Sequence, residues 1–250
     1  MGIVIKSSRE IAIMRQAGRI AAEVLKILIA RLRPGMKTKE LDEIAEQEIA
    51  RRGARPSFKG YRGFPASICV SVNDEVVHGI PGERTIEEGD IVSVDLGTIY
   101  GGFQGDCAVT VGVGRIDSEA ERLIEAARGA LEAGIAAARP GGRLGDVSAS
   151  IEGYAKRAGY EVVREYTGHG IGREMHESPQ VPNYGKAGSG ILLKAGMTLA
   201  LEPMLNSGTW RTKVDDDMWT VRTADGGLSA HFEHTIAITE EEPEVLTLTR

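Results

Sequence analysis

The sequence predicts an α+β fold made of two related halves, and three observations carry that reading. Arg33-Pro34-Gly35 returns as Arg139-Pro140-Gly141 at an offset of 106, and each proline is followed nineteen positions later by a glycine, Gly53 and Gly159. The run Glu88-Gly89-Asp90-Ile91-Val92-Ser93-Val94-Asp95 is echoed at an offset of 107 by Ala195-Gly196-Met197-Thr198-Leu199-Ala200-Leu201-Glu202, which puts Asp95 in register with Glu202. In both halves amphipathic segments precede β-rich ones, the order that sets helices to one side of an antiparallel sheet.

Taken in order, Ser7 and Glu10 have capping-box spacing. Met14, Ala17, Ala21, Val24, Leu25 and Leu28 then recur at helical steps until Pro34-Gly35. A second helix is expected from about Thr38 to Arg52, with Leu41, Ile44, Ala45 and Ile49 inward. Residues 66–72 and 91–96 read as strands from their β-branched content, Gly101-Gly102 as a turn, and 103–111 as the returning strand. The second half begins with Ser118 and Glu121 as another capping box, and its first helix ends at Pro140-Gly141-Gly142. Asp146 is expected to cap the next helix, with strands near 161–166, 197–202, 218–222 and 231–238. The join is placed at Gly112-Val113-Gly114-Arg115. That gives halves of about 1–114 and 115–250 within one catalytic domain, related by a pseudo-twofold axis and sharing one central sheet.

Bulk properties narrow the function. A net charge of −6 argues against nucleic acid as the main ligand, DNA included, since neutralising phosphates needs a basic surface. The longest apolar run is well short of the roughly 18–20 residues that span a bilayer. The start Met1-Gly2-Ile3-Val4-Ile5-Lys6 lacks the pattern of a secretory signal. Cys69 and Cys107 form no disulfide framework and fit free thiols in a reducing cytoplasm. Residues 31–62 carry nine Lys/Arg against five Asp/Glu. Such a patch could touch ribosomal RNA transiently, although a solvated helix face is the plainer reading.

The acids carry the chemistry. A hairpin through Ile99-Tyr100-Gly101-Gly102 brings Asp95 and Asp106 onto adjacent strands, where their carboxylates can face one another. Like charges so placed raise each other's pKa and call for a proton or a cation. Asp95 follows the core-like Ile91-Val92-Ser93-Val94 and is expected to end a buried strand. Glu202 follows Leu199-Ala200-Leu201, and Glu233 leads into Ile236-Ala237-Ile238. His231 and His234 flank Glu233 but point the opposite way on a strand, so neither is taken as a ligand. His169, between glycines in Gly168-His169-Gly170, can approach a ligand closely. His176 and His78 lie beside other strand ends or glycine turns. Carboxylates with one imidazole suit Mn²⁺, Fe²⁺, Co²⁺ or Zn²⁺. Four carboxylates suit two ions roughly 3.5–4 Å apart with a hydroxide between them, which is the chemistry of hydrolysis.

These motifs closely resemble the type I methionine aminopeptidases of the pita-bread fold, over essentially the whole chain. The most specific stretches are Ser71-Val72-Asn73-Asp74-Glu75-Val76-Val77-His78-Gly79-Ile80-Pro81, Asp95-Leu96-Gly97, Gly105-Asp106, Gly168-His169-Gly170-Ile171-Gly172, His176-Glu177, Leu201-Glu202-Pro203 and Phe232-Glu233-His234-Thr235. Only 25 residues separate His176 from Glu202, which leaves no room for the helical insert of the type II enzymes. The resemblance implies removal of initiator methionine from nascent polypeptides with a small second residue; a monomer is expected. Asp95, Asp106, His169, Glu202 and Glu233 would ligate two divalent ions, with Asp106 and Glu233 bridging them. Glu202 would relay a proton, His176 would contact the scissile carbonyl oxygen, and His78 the amide nitrogen or substrate backbone. Tyr61, Phe64, Cys69, Met175 and Trp219 would form the methionine pocket. Asn73 and Ser229 would mark a site for Na⁺ or K⁺. Met175 departs from the family pattern, which leads one to expect an aromatic residue there.

Overall fold

The computed structural model describes residues 2–249. The first half runs α1 (Ser8–Arg31), α2 (Thr38–Arg51), β1 (Arg55–Pro56), β2 (Cys69–Val72), β3 (Glu75–Val77), β4 (Ile91–Tyr100) and β5 (Phe103–Gly112). The second runs α3 (Ser118–Ala137), α4 (Leu144–Arg157), β6 (Glu161–Val162), β7 (Gly168–Gly170), β8 (Glu177–Val181), β9 (Thr198–Leu201) and β10 (Met204–Asn206). It continues with β11 (Thr212–Val214), β12 (Val221–Thr223), β13 (Ser229–His231), β14 (Glu233–Ile238) and β15 (Pro243–Val245). Helix pair followed by strands thus occurs twice, as the repeat predicts.

The helix starts show where local signals act. Ser7 and Glu10 form the expected box: the hydroxyl accepts from the Glu10 amide and the carboxylate from the Ser7 amide. The other two expected caps are corrected. Asp117, not Ser118, caps α3, its carboxylate accepting from the amides of Glu119 and Ala120 at 2.9 and 2.8 Å. A charged acceptor at the positive helix end outcompetes the neighbouring hydroxyl. α4 starts before Asp146, which sits in its first turn and reaches back to accept from Arg143 N at 2.8 Å.

Each helix pair packs on the sheet through its own core. Ile20, Val24, Leu28, Leu41 and Ile49 meet Ile68, Val92, Val94 and Leu96 in the first half. Leu123, Leu131, Val147 and Ile151 meet Leu199, Leu201 and Ile236 in the second. Full burial of each such side chain contributes roughly 1.5–3 kcal/mol. α1 lies unusually close to β5: a Cβ on Gly105 would stand 2.4 Å from the Gly18 nitrogen.

β4 and β5 form a long hairpin turned by Gly101 and Gly102, both at positive φ (57° and 80°), the geometry of tight hairpin turns. Two expectations are corrected here. Asp95 does not end its strand, which runs on to Tyr100 because Thr98 and Ile99 keep pairing with β5 and β1. Nor are the two aspartates directly opposite: Asp95 pairs with Ala108, and Asp106 with Gly97. They share a face two residues out of register, which lessens their repulsion.

The sheet is continuous between the halves. Its order is β1-β4-β5-β14-β9-β7-β8, with β5 and β14 joined at Glu233–Ala108 and His234–Cys107. Buried threonines reinforce that short seam. The Thr235 hydroxyl accepts from Asp106 N and donates to Asp106 O, both at 2.9 Å. The Thr110 hydroxyl likewise links to the His231 backbone at 2.8 Å. Both cysteines are free and buried. No helix among the described residues is long and apolar enough to cross a membrane. Of the basic residues in 31–62, Lys37, Lys39, Arg51, Arg52 and Lys59 are already paired with Glu83, Glu48, Glu23 or Glu46, which favours the solvated-face reading.

Candidate metal centre

The sheet order explains how residues far apart in sequence converge. Asp95 lies on β4, Asp106 on β5, Glu233 at the start of β14, Glu202 just past β9, and His169 on β7. These are five consecutive neighbours in the sheet. Ala108 is the register partner of both Asp95 and Glu233, and Ala200 of His169, so small side chains separate the acids and keep the face open. All five candidate ligands line one cavity of about 150 Å³.

Ligand atoms of Asp106, His169 and Glu233 all lie within 4.8 Å of one another, and the three residues are buried. His169 Nε2 is 3.5 Å from Glu202 Oε1. The other ring nitrogen, Nδ1, donates to Gly170 O at 2.9 Å, which leaves the Nε2 lone pair facing the acids. Burial holds that imidazole neutral, its pKa lowered to about 3. The carboxyl groups are pushed the other way. Burial raises Asp106 to about 7. Burial first, then repulsion from its neighbours, raises Asp95, Glu202 and Glu233 well above the usual carboxylate range. Asp95 Oδ1, Asp106 Oδ1 and Glu233 Oε1 are buried with no hydrogen-bond partner. Buried unpartnered acceptors beside an oriented neutral imidazole are what a divalent cation needs, so the donor set fits such ions.

The cavity wall is apolar and aromatic: Phe58, Tyr61, Phe64, Cys69, Met175 and Trp219. Phe64 and Trp219 meet edge to face at 5.1 Å. Cys69 is the register partner of Asp95, so the wall adjoins the acids directly. Met175 is buried against Gly97, whose absent Cβ would stand 2.7 Å from its methyl. All the pocket residues expected from the sequence are therefore on this wall. His78 also lines it, in a left-handed conformation (φ 62°), with Tyr166 edge-on at 5.7 Å; desolvation lowers its pKa to about 4. His176 stacks on Tyr61 at 5.4 Å and hydrogen-bonds its hydroxyl through Nδ1 at 2.8 Å. Desolvation, and then the Arg62 charge, lower its pKa.

Asn73 and Ser229 do meet, Ser229 N donating to Asn73 O at 2.9 Å. Asn73's side chain is engaged by Asp90 and the Ile91 amide, while the Ser229 hydroxyl is buried without a partner. His231 and His234 do not line the cavity; His234 bonds Thr247 at 2.8 Å. Sequence reasoning missed Phe58 and Arg62, which line the cavity from a loop, and the Tyr61–His176 pairing. The signal available was a single aromatic and a single charge amid Gly60 and Gly63, too little to assign a face.

The model for metallopeptidase family M24 matches residues 12–240. A methionine aminopeptidase of Clostridium perfringens is 52% identical over 246 residues, covering 98% of this chain and 99% of its own. The chain belongs to metallopeptidase family M24, among its methionine aminopeptidases. "Methionine aminopeptidase 1" of Bacillus subtilis is 51% identical over 98% of this chain and 99% of its own. The crystal structure of the Thermotoga maritima methionine aminopeptidase superposes with a TM-score of 0.97 at 46% identity, covering 98% of this chain and 99% of that one. A prolidase of Pyrococcus horikoshii shares the fold at a TM-score of 0.79 and 26% identity, over 99% of this chain and 64% of its own. The pita-bread architecture and the aminopeptidase class of this M24 member therefore stand as expected from its motifs.

Proposed function

We propose that this M24 enzyme removes the N-terminal methionine of newly made polypeptides in the cytoplasm when the second residue is small. The observation that carries this is the placement of four carboxylates and one imidazole on or at the ends of five adjacent strands, against an apolar and aromatic wall. Asp95, Asp106, His169, Glu202 and Glu233 would hold two divalent ions, of Mn²⁺, Fe²⁺, Co²⁺ or Zn²⁺. Such ions supply a nucleophilic hydroxide at neutral pH and polarise the scissile carbonyl.

The chain's own groups do the rest. Phe58, Phe64, Met175 and Trp219 exclude water and receive the thioether, for which sulfur and aromatic surfaces suit. The Tyr61 hydroxyl, donating to His176 Nδ1, would leave Nε2–H as a donor toward the carbonyl oxygen. His78, kept neutral, would meet the substrate backbone near the departing nitrogen. A carboxylate oxygen of Glu202 would take the proton of the attacking water and pass it to the amine. A small second residue is required because the cavity is about 150 Å³ and the following side chain meets its rim. Asn73 and Ser229 are assigned to a monovalent cation, Na⁺ or K⁺, on the strength of the unpartnered Ser229 hydroxyl. The basic segment 31–62 offers little free charge for ribosomal RNA, since most of it is already paired. The test is release of the N-terminal residue from Met-Ala-Ser, Met-Leu-Ser and Ala-Pro-Ser by metal-loaded protein. Cleavage of the first alone supports the reading; preference for Ala-Pro-Ser overturns it.

A further inference from the structure

Arg62 is the sole Lys or Arg lining the cavity among the described residues. It and His176 are the exposed lining residues, so they mark the opening, whereas Asp106, His169 and Glu233 lie buried at the floor. Its guanidinium carbon sits 5.4 Å from the Tyr61 ring centroid, and that ring stacks on His176 at 5.4 Å. No carboxylate among the described residues pairs with it. Arg222, by contrast, is held by Asp74, Glu75 and Asp215. Arg62 also occupies a left-handed conformation (φ 50°, ψ 22°) between Gly60 (φ 83°) and Gly63 (φ 91°). Glycine adopts that conformation freely, and any residue with a Cβ does so at a cost. The loop therefore spends conformational strain to hold an uncommitted positive charge at the mouth.

A polypeptide whose first side chain occupies the apolar wall must leave past His176 and Arg62. The two stacking contacts place the guanidinium no more than about 11 Å from the His176 ring. An extended chain advances about 3.3–3.6 Å per residue, so that reach corresponds to the third or fourth residue of the substrate. We infer that Arg62 is a specificity-determining residue that selects polypeptides bearing a carboxylate at position three or four and disfavours lysine or arginine there. This rests on the aminopeptidase reading above.

The experiment compares kcat/KM of metal-loaded wild type, Arg62→Gln and Arg62→Gly on four peptides. They are Met-Ala-Asp-Ser-amide, Met-Ala-Ser-Ser-amide, Met-Ala-Lys-Ser-amide and Met-Ala-Ser-Ser as the free acid. Arg62→Gly relaxes the backbone, so a folding defect in Arg62→Gln does not obscure the result. One unit charge at this range and near-aqueous screening changes binding a few-fold, so the Asp-to-Lys ratio should be about tenfold in wild type at low salt. It should fall below twofold in both variants and in roughly 0.5 M salt, where screening is short-ranged. The change should appear in KM rather than kcat, because the contact is made equally in ground and transition states. A ratio that survives loss of the charge overturns the assignment. So does a preference confined to the free-acid peptide, which would make Arg62 a reader of short-peptide termini only. Failure of wild type to cleave the neutral amide would instead overturn the aminopeptidase reading, and this inference with it.

Discussion

Replacing Asp106 by asparagine should make the metal-free protein less sensitive to pH. Asp106 is 4% exposed, and its Oδ1 has no partner. Its carboxyl is held up to about 7 in the fold, against 3.8 in the free residue, mainly by burial. The folded state therefore binds this proton more tightly than the unfolded chain, and stability falls as pH rises from about 4 to about 7, then levels. One pH unit within that window is worth about 1.36 kcal/mol per proton. From pH 5 to pH 7, Asp106 alone should cost the metal-free wild type about 2 kcal/mol, since the carboxyl is half titrated at the upper end. The amide does not titrate. Its loss of charge also relieves Asp95, Glu202 and Glu233, each of which Asp106 repels. The assay is urea unfolding in excess chelator at pH 5, 6, 7 and 8. The stability of Asp106→Asn relative to wild type should rise by at least about 2–3 kcal/mol between pH 5 and 7, at unchanged m-value. Metal at 100 times its Kd should then restore about 2.7 kcal/mol to wild type at pH 8 and less to the variant. Parallel pH curves for the two proteins would refute the idea that these buried acids are held in wait for a cation.

Three further outcomes are expected. Tyr61→Phe removes the hydroxyl that fixes the His176 tautomer and should lower kcat about tenfold with little change in metal affinity; unchanged kcat in a steady-state assay would count against His176 as a carbonyl donor. Gly105→Ala forces a Cβ against the Gly18 backbone and should destabilise the protein by about 1–3 kcal/mol in chemical melts, whereas a neutral effect would mean that α1 can slide on β5. Lys6→Met leaves Glu177 without its cation in a pair whose side chains are 3% and 11% exposed, and should cost about 3–5 kcal/mol; Lys6→Met with Glu177→Gln should recover part of it, and no recovery would show that the loss lies in packing rather than charge.

The candidate ligands were legible because each follows or begins a segment with strong strand character. Ile91-Val92-Ser93-Val94 and Leu199-Ala200-Leu201 announce buried strands, and an acid in such company is costly unless something pairs with it. The fold class was legible because the second half repeats the first. Helix starts were legible to within a residue or two: Ser118 looked like a cap only because Asp117, one residue earlier, does the same task better. The short strands β7, β8, β10 and β11 were mostly hidden, while β12 was met in part by the strand expected near 218–222. Gly168-His169-Gly170 has no β-branched residue, and β8 contains Pro179, so their pairing comes from tertiary context rather than local preference. Phe58 and Arg62 were illegible for a related reason. Arg62 reaches the cavity from a turn with positive φ at Gly60, Arg62 and Gly63, Phe58 stands just ahead of it, and nothing periodic in the sequence reports which way such a turn faces.

The most direct test is calorimetric titration of exhaustively chelated protein with Mn²⁺ at pH 7.5. Binding should saturate at two ions per chain in wild type and at no more than one in Asp106→Asn or Glu233→Gln. Saturation at one ion or fewer in wild type, or equal stoichiometry in all three proteins, would contradict the claim that strands β4, β5, β14, β9 and β7 build a shared dinuclear cradle.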